Sequence, residues 1–285
     1  MDAFEEGLYN SESKHPMNSK EPFPRRINRF TAFVQVLYRK LIRSENRSEL
    51  QHQRLKLLWY IWGYYPLLFV SELSLTQRLN LLVRCLKVDW QVLHGHRPIE
   101  LAHIFRAIGN RQASPSEIFV EAGCWNGGSS IKFSIFCKLL GYRLHIFDSF
   151  AGVEQMKPED VEGCDFSGAY ATSEEAVRTN LKQFGELDVC ELHKGWFADS
   201  LANKPLSIPV RCVYIDCDLA KGTKEVLSGV MPALVDDGWI FSQDFHIKPV
   251  QRLLRDPDTW KPFHRGLPEI RWLAWNLASF RFPKT

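Results

Sequence analysis

From Ile118 onward the chain repeats one rhythm: a short apolar run, then a longer segment with apolar residues at three- and four-residue spacing. The runs "IFVEA", "RLHIFD", "DVCELHKG", "VRCVYIDCD" and "GWIFSQD" have the length and composition of strands. Between them lie candidate helices near residues 127–140, 173–184, 198–203 and 221–235. Strands alternating with amphipathic helices build βαβ units, which bury their apolar faces only as a parallel sheet covered by helices. After one more helix in "DFHIKPVQRLLRD", the stretch "EIRWLAWNLASFRF" reads as two late β segments around a turn. The expected class is α/β, with a doubly wound, mostly parallel sheet over residues 116–285.

Two segments precede this unit. Residues 1–28 are rich in Ser, Glu, Lys, Asn and Pro and are expected to be a disordered tail. Residues 29–115 form a helical N-terminal extension or lid, in which "TAFVQVLYRKLIRS" and "SLTQRLNLLVRCLKV" carry the helical period. Within it "LLWYIWGYYPLLFV", Leu57 to Val70, is broken by Gly63 and Pro66 and is too short to span a bilayer. A buried helix, or a lid packed over a pocket, fits that run. The net charge of +3 gives no footing for a nucleic-acid partner. Eleven Lys and Arg do lie between Lys14 and Lys56, against few acids; a solvated helical face explains them better than an anionic surface. Seven cysteines without a C-x-x-C pair argue against a disulfide framework and for a reducing compartment. The acidic start "MDAFEEGLYN" lacks a signal layout, so a cytoplasmic location is expected.

Open parallel sheets bind ligands beyond the carboxyl ends of their strands, at the switch in strand order. The first strand ends in Glu121, and "AGCWNGGSS" follows, with Gly123, Gly127 and Gly128. A dinucleotide fingerprint requires G-x-G-x-x-G, and a phosphate loop requires G-x-x-x-x-G-K-[ST]. Neither spacing is present, because Ser129 and Ser130 stand where the lysine would be. The second strand ends in Asp148, a position from which a carboxylate accepts the hydroxyls of a ribose. A nucleoside without phosphates wants both features, and S-adenosylmethionine (SAM) is such a ligand. The alternative for Asp148 is a cap on the turn "DSFAG".

The fourth and fifth strands end in "YIDCDLAKGT" and "IFSQDFH". Neighbouring parallel strands bring their ends together, so Asp216 and Asp244 are expected within reach of one ion. Such hard oxygens suit Mg²⁺ or Mn²⁺. An aliphatic hydroxyl is a poor nucleophile near neutral pH, and a bound divalent cation lowers its pKa. Helix-capping carboxylates are the competing explanation for each Asp taken singly.

In order and spacing, "FVEAGCWNGGSS", "FDSFAGV", "KGWFADSL", "YIDCDLAKGT" and "GWIFSQDF" resemble the macrocin O-methyltransferases, over about residues 117–256. That resemblance implies a class I, Rossmann-like methyltransferase, dependent on SAM and a metal, that methylates sugar hydroxyls of natural products. It implies that Glu121, Gly123, Asn126, Gly127, Gly128 and Ser129 hold the methionine moiety. Asp148 would bind ribose with Ser149 and Phe150 beside it, and Trp196 and Phe197 would lie near the adenine. It maps metal ligands onto Asp216, Gln243 and Asp244, with Asp216 also catalytic. The pattern departs from the family where Gln243 replaces a carboxylate, where Ala220 replaces a tyrosine, and at Lys221 and Gly222. One formal charge fewer weakens metal binding and admits a metal-free alternative with His246 as base. A catalytically degenerate SAM-binding scaffold and a nucleotide-dependent oxidoreductase are the other readings. The implied partner is a small hydroxyl acceptor, glycosylated in the family. Trp59, Tyr60, Trp62, Tyr64, Tyr65, Trp260 and Phe263 point to a large or partly apolar one. An aromatic-rich extension also suits packing against a twin subunit, so a homo-oligomer is among the expectations.

Overall fold

The computed structural model describes residues 49–114, 116–157 and 165–282, with side chains from Leu55 onward. The tail 1–28 and the "TAFVQVLYRKLIRS" helix lie outside the described residues. Three helices come first: α1 (Glu49–Gly63), α2 (Leu75–Gln91) and α3 (Pro98–Ile108). The remainder alternates: β1 (Ile118–Ala122), α4 (Gly128–Leu140), β2 (Arg143–Asp148), α5 (Glu174–Phe184), β3 (Cys190–Lys194), β4 (Val210–Ile215), α6 (Ala220–Val230) and β5 (Leu234–Ser242). Two short helices, α7 (Lys248–Arg255) and α8 (Pro257–Trp260), lead to the hairpin β6 (Glu269–Ala274) and β7 (Leu277–Arg281).

One seven-stranded sheet results, in the order β3-β2-β1-β4-β5-β7-β6. The first five strands are parallel, and β7 runs antiparallel between β5 and β6. The doubly wound, mostly parallel expectation therefore holds. β1 and β4 are buried along their whole length, as their unbroken apolar runs require of central strands. β3 is the edge and is only half covered.

Three details differ from the sequence expectation. The helix near 221–235 stops at Val230, because Pro232 forces a short 3₁₀ turn over Met231–Ala233. β5 then starts at Leu234 rather than Gly238, and its pairing with β4 slips between Val210 and Cys212. The polar "DDG" at that bulge hid the early half of the strand. The 198–203 helix is a π-type turn, Ala198–Ala202, closed by Asn203 N–H donating to the Ala198 carbonyl at 2.9 Å.

Leu57–Val70 is neither a buried helix nor a single element. Tyr64, Leu67 and Val70 are buried, whereas Leu57, Leu58, Ile61, Trp62, Leu68 and Phe69 face outward. The extension shares one core with the sheet: Phe105 of α3 stacks on Phe136 of α4 at 4.5 Å, and Leu81, Cys85 and Val88 of α2 join them. On the opposite face α6, α7 and α8 pack through Val226, Val230, Val250, Leu254 and Trp260. Trp260 is a core residue and offers nothing to an acceptor pocket. No helix among the described residues is long and apolar enough to cross a membrane.

The strand order reverses between β1 and β4, and there the two backbones meet. Gly123 has φ +88°, and a Cβ on it would lie 1.8 Å from the Asp216 carbonyl oxygen. Gly123→Ala is expected to lose about 3 kcal/mol or more in urea unfolding, since left-handed strain adds to a backbone clash. Gly95→Ala, where a Cβ meets nothing within 4 Å, is expected to change stability by less than about 1 kcal/mol.

Candidate active site

The loop after β1 is held by its neighbours rather than left open. Asp148, ending β2, accepts from the backbone N–H of Cys124 at 2.7 Å and of Trp125 at 3.3 Å through one oxygen. Its other oxygen accepts from Phe150 N–H at 2.7 Å. One carboxylate thus clamps the glycine loop and caps the "DSFAG" turn together. Gly123 N–H donates to the Phe147 carbonyl at 2.9 Å. Gly127 (φ +79°) faces Val177 of α5, and a Cβ on Gly128 would strike His94 at 2.5 Å. Each of the three glycines is thus required by an approach of the chain's own elements. Asn126 accepts from Thr172 at 3.3 Å and from Asn180 through its carbonyl at 3.0 Å, and donates to the Leu93 carbonyl at 3.5 Å.

Glu121 points into the interior beneath this loop and is fully buried. Ser129 Oγ donates to one of its oxygens, while the other, Oε2, has no donor among the described residues. Burial pushes the Glu121 carboxyl up to about 8, against the opposing pull of its serine hydrogen bond.

Across the switch, three aspartates gather at the ends of β4 and β5. Asp216 N–H continues the ladder to the Ala122 carbonyl at 2.9 Å, and Gln243 N–H does so to the Ile215 carbonyl at 2.9 Å. Asp244 Oδ2 accepts from Cys217 N–H at 2.9 Å and Asp218 N–H at 2.8 Å. Asp218 takes the left-handed φ of +61° in that turn. Tyr214 donates its hydroxyl to Asp216 at 3.1 Å. Burial, and then the charges of Asp244 and Asp218, hold the Asp216 carboxyl well above the ordinary range. Burial followed by Asp244 does the same to Asp218. Asp244 is also raised by burial, less so because His246 and two amides oppose it. Gln243 is 5% exposed, and its Oε1 has no donor among the described residues. His246 is exposed beside Asp244.

The family departures are accommodated locally. Lys221 Nζ reaches both carboxylate oxygens of Glu154 at 2.6 Å and Glu225 at 3.4 Å, tying α6 to the loop beyond β2. Gly222 lies under Cys217 and Phe197, where a Cβ would approach the Cys217 sulfur to 3.2 Å. Phe197 therefore packs inward against α6, while Trp196 stays on the rim, 39% exposed. Ser149 accepts from Ala151 N–H at 3.1 Å and donates to the Gly152 carbonyl at 3.2 Å. Phe150 (φ +57°) is buried.

Sequence reasoning missed a buried polar cluster behind the glycine loop. Lys132 of α4, with no exposed surface, donates to Asp89 of α2. Asp89 also accepts from Tyr64 at 2.8 Å and pairs with His94 at 3.0 Å, and Lys132 Nζ lies 2.8 Å from His96 Nε2. Burial depresses both imidazoles, with Lys132 adding to it. The available signal was a lone lysine in the apolar run "SSIKFSIF". A cavity of about 280 Å³ lined by Met231, Leu234, Phe263 and Arg265 lies at the amino end of β5, away from these strand ends.

Residues 97–276, well over half of the chain, match the macrocin-O-methyltransferase (TylF) family. The chain belongs to that family. A Streptomyces olivaceus protein, 8-demethyl-8-(2,3-dimethoxy-alpha-L-rhamnosyl)-tetracenomycin-C 4'-O-methyltransferase, is 29% identical over 147 residues. That alignment covers 48% of this chain and 56% of the relative, so the chain spans little more than half of that protein's length. The solved structure of the O-methyltransferase NovP superposes with a TM-score of 0.51 at 19% identity, over 71% of this chain and 79% of NovP. The shared fold is that of the class I SAM methyltransferases.

Glu121 provides a test of this electrostatic picture. Its proton is held up to about pH 8 in the folded chain, against an ordinary value of 4.5. The resulting stability is complete below about pH 4.5 and is lost as pH rises toward 8. Glutamine mimics the protonated acid and does not titrate. Glu121→Gln is expected to match the parent at pH 4.5 and exceed it at pH 8 by roughly 2–5 kcal/mol in urea unfolding. A difference independent of pH would show that Glu121 is ionised throughout.

Proposed function

We propose that this chain is a SAM-dependent O-methyltransferase acting on a hydroxyl of a sugar-bearing or polyketide-type small molecule, assisted by Mg²⁺. The observation that carries the reading is family membership over 97–276 combined with a hard-oxygen cluster at the β1/β4 switch, in which Gln243 and Asp244 are buried and Asp216 and Asp218 are partly exposed. The rhamnosyl 4'-O-methyltransferase name of the Streptomyces relative supports a glycosylated acceptor.

The residues fit both groups. Glu121 Oε2 is an acceptor without a donor among the described residues, the kind of atom that an α-ammonium group satisfies. Gly123, Asn126, Gly127, Gly128 and Ser129 shape the loop above it. Asp148, Ser149, Phe150 and Trp196, at the ends of β2 and β3, are the residues proposed for ribose and adenine, whereas Phe197, packed against α6, would support the adenine side from beneath. Bound there, SAM supplies an electrophilic methyl group. Asp216, Asp244 and the donor-free Gln243 Oε1 form the oxygen set that would hold Mg²⁺. Its chemistry there would be to lower the pKa of a hydroxyl and neutralise carboxylates that otherwise retain protons. Asp216 Oδ2 accepts from the Tyr214 hydroxyl, which leaves Oδ1 as its other oxygen for the ion. In the metal-free alternative His246, exposed next to Asp244, would be the base that takes up the proton the acceptor releases.

Asp216→Asn is expected to lower methyl transfer at least about 100-fold while leaving SAM binding, by calorimetry, within about threefold. EDTA should bring the parent to a similar rate, with Mg²⁺ restoring it. Unchanged turnover in EDTA, together with a large loss in His246→Ala, would replace the metal route with the histidine base. SAM binding without transfer to any of a broad panel of glycosides would favour a scaffold.

A further inference from the structure

At the open edge of the sheet, two imidazoles and a carboxylate meet across β2 and β3. The parallel register sets His145 opposite Glu191 and Phe147 opposite His193, and the two-residue period puts all four on one face. His145 Nδ1 lies 3.0 Å from His193 Nε2. The Glu191 carboxylate comes within 3.5 Å of His193 Nε2 and 3.7 Å of His145 Nε2. One donor atom from each residue lies within 4.8 Å of the others. A tetrahedral zinc ion bound at about 2.05 Å spaces its ligand atoms roughly 3.3 Å apart, so a triad whose ligand atoms all lie within 4.8 Å of one another needs only small side-chain adjustment to close on an ion.

The surroundings favour a cation. His145 is 7% exposed and forms a buried wall, while His193 at 27% and Glu191 at 52% leave a mouth open to solvent. Burial lowers the pKa of both imidazoles, keeping them in the neutral form that ligates. Phe147 stacks on the His193 ring at 4.2 Å and 9°, which fixes the ring's orientation. The other triad at ligand spacing, Asp89, His94 and His96, already encloses the Lys132 ammonium. Among the described residues, the edge triad is the one such group without an internal cation.

We propose that His145, His193 and Glu191 form a two-histidine, one-carboxylate site for a borderline divalent cation, Zn²⁺ in preference to Mg²⁺. Imidazole donors set that preference, in contrast to the oxygen-only cluster at the switch. The ion bridges β3, the half-covered edge strand, to β2. It does so two residues ahead of Gly195, whose N–H donates to the Asp148 carbonyl at 3.0 Å. It therefore steadies the strand end that carries Trp196. The proposal is independent of methyl transfer.

Full-length protein stripped with EDTA would be titrated with Zn²⁺ in competition with a chromogenic chelator, alongside His193→Ala, Glu191→Gln and His94→Ala, with circular dichroism to verify folding. One Zn²⁺ per chain is expected, weakened at least tenfold by His193→Ala, several-fold by Glu191→Gln and not at all by His94→Ala. Millimolar Mg²⁺ should not compete. Co²⁺ should give the visible absorption of a four-coordinate ion in the parent but not in His193→Ala. Glu191 is half exposed, so its glutamine variant keeps the test open if the histidine variant misfolds. Zn²⁺ binding equally tight in Glu191→Gln and the parent, or no stoichiometric binding at micromolar Zn²⁺, would overturn the site.

Discussion

Two strand ends touch backbone to backbone at the centre of the sheet, Gly123 against the carbonyl of Asp216, and the candidate site is organised around that contact. It is possible only because residue 123 lacks a Cβ and adopts a left-handed φ. The ladder continues past both strands, through Asp216 N–H to Ala122 and Gln243 N–H to Ile215, so the acidic residues leave the sheet in a defined direction. Asp148 completes the frame by binding the amides of Cys124, Trp125 and Phe150 with a single carboxylate.

That frame concentrates acid: Glu121 and Asp244 are buried, whereas Asp216 and Asp218 keep part of their surface exposed. Glu121, Asp216, Asp218 and Asp244 lie within or beneath two adjoining loops, and their carboxyls are all raised, with burial the leading cause in each. Buried like charges destabilise a fold unless protons or cations neutralise them. Behind the glycine loop the chain supplies its own cation: Lys132 neutralises Asp89 and is flanked by imidazoles held neutral. At the switch no lysine or arginine is in hydrogen-bond contact with Asp216, Asp218 or Asp244 among the described residues. The two regions thus differ in electrostatics: a lysine neutralises Asp89, whereas burial and mutual repulsion raise the carboxyls at the switch.

The glycine loop illustrates how a correct position can carry an incomplete reason. Its small residues imply close backbone approach, and the sequence invites the idea that a ligand makes it. In the fold, Asp216, Val177 and His94 make those approaches, and they come from β4, α5 and the helical extension. Asp148 likewise serves the loop and the turn at once, a combination of cap and clamp that spacing alone does not distinguish. Phe197 and Trp196 are adjacent in sequence yet diverge, because the π-type turn directs Phe197 onto Gly222.

The sequence by itself determined the alternation of strands and helices, the late hairpin, the loops that carry the acidic residues, and the family. These are local properties, written in hydrophobic period, turn residues and motif spacing. Tertiary structure alone decided the pairing of Asp89 with Lys132, the packing of the extension into the sheet's own core, and the meeting of His145, His193 and Glu191. It also decided which aromatic residues are core, as with Trp260. Each of these depends on contacts between residues tens to hundreds of positions apart, and hydrophobic period carries no record of which distant segment will lie opposite.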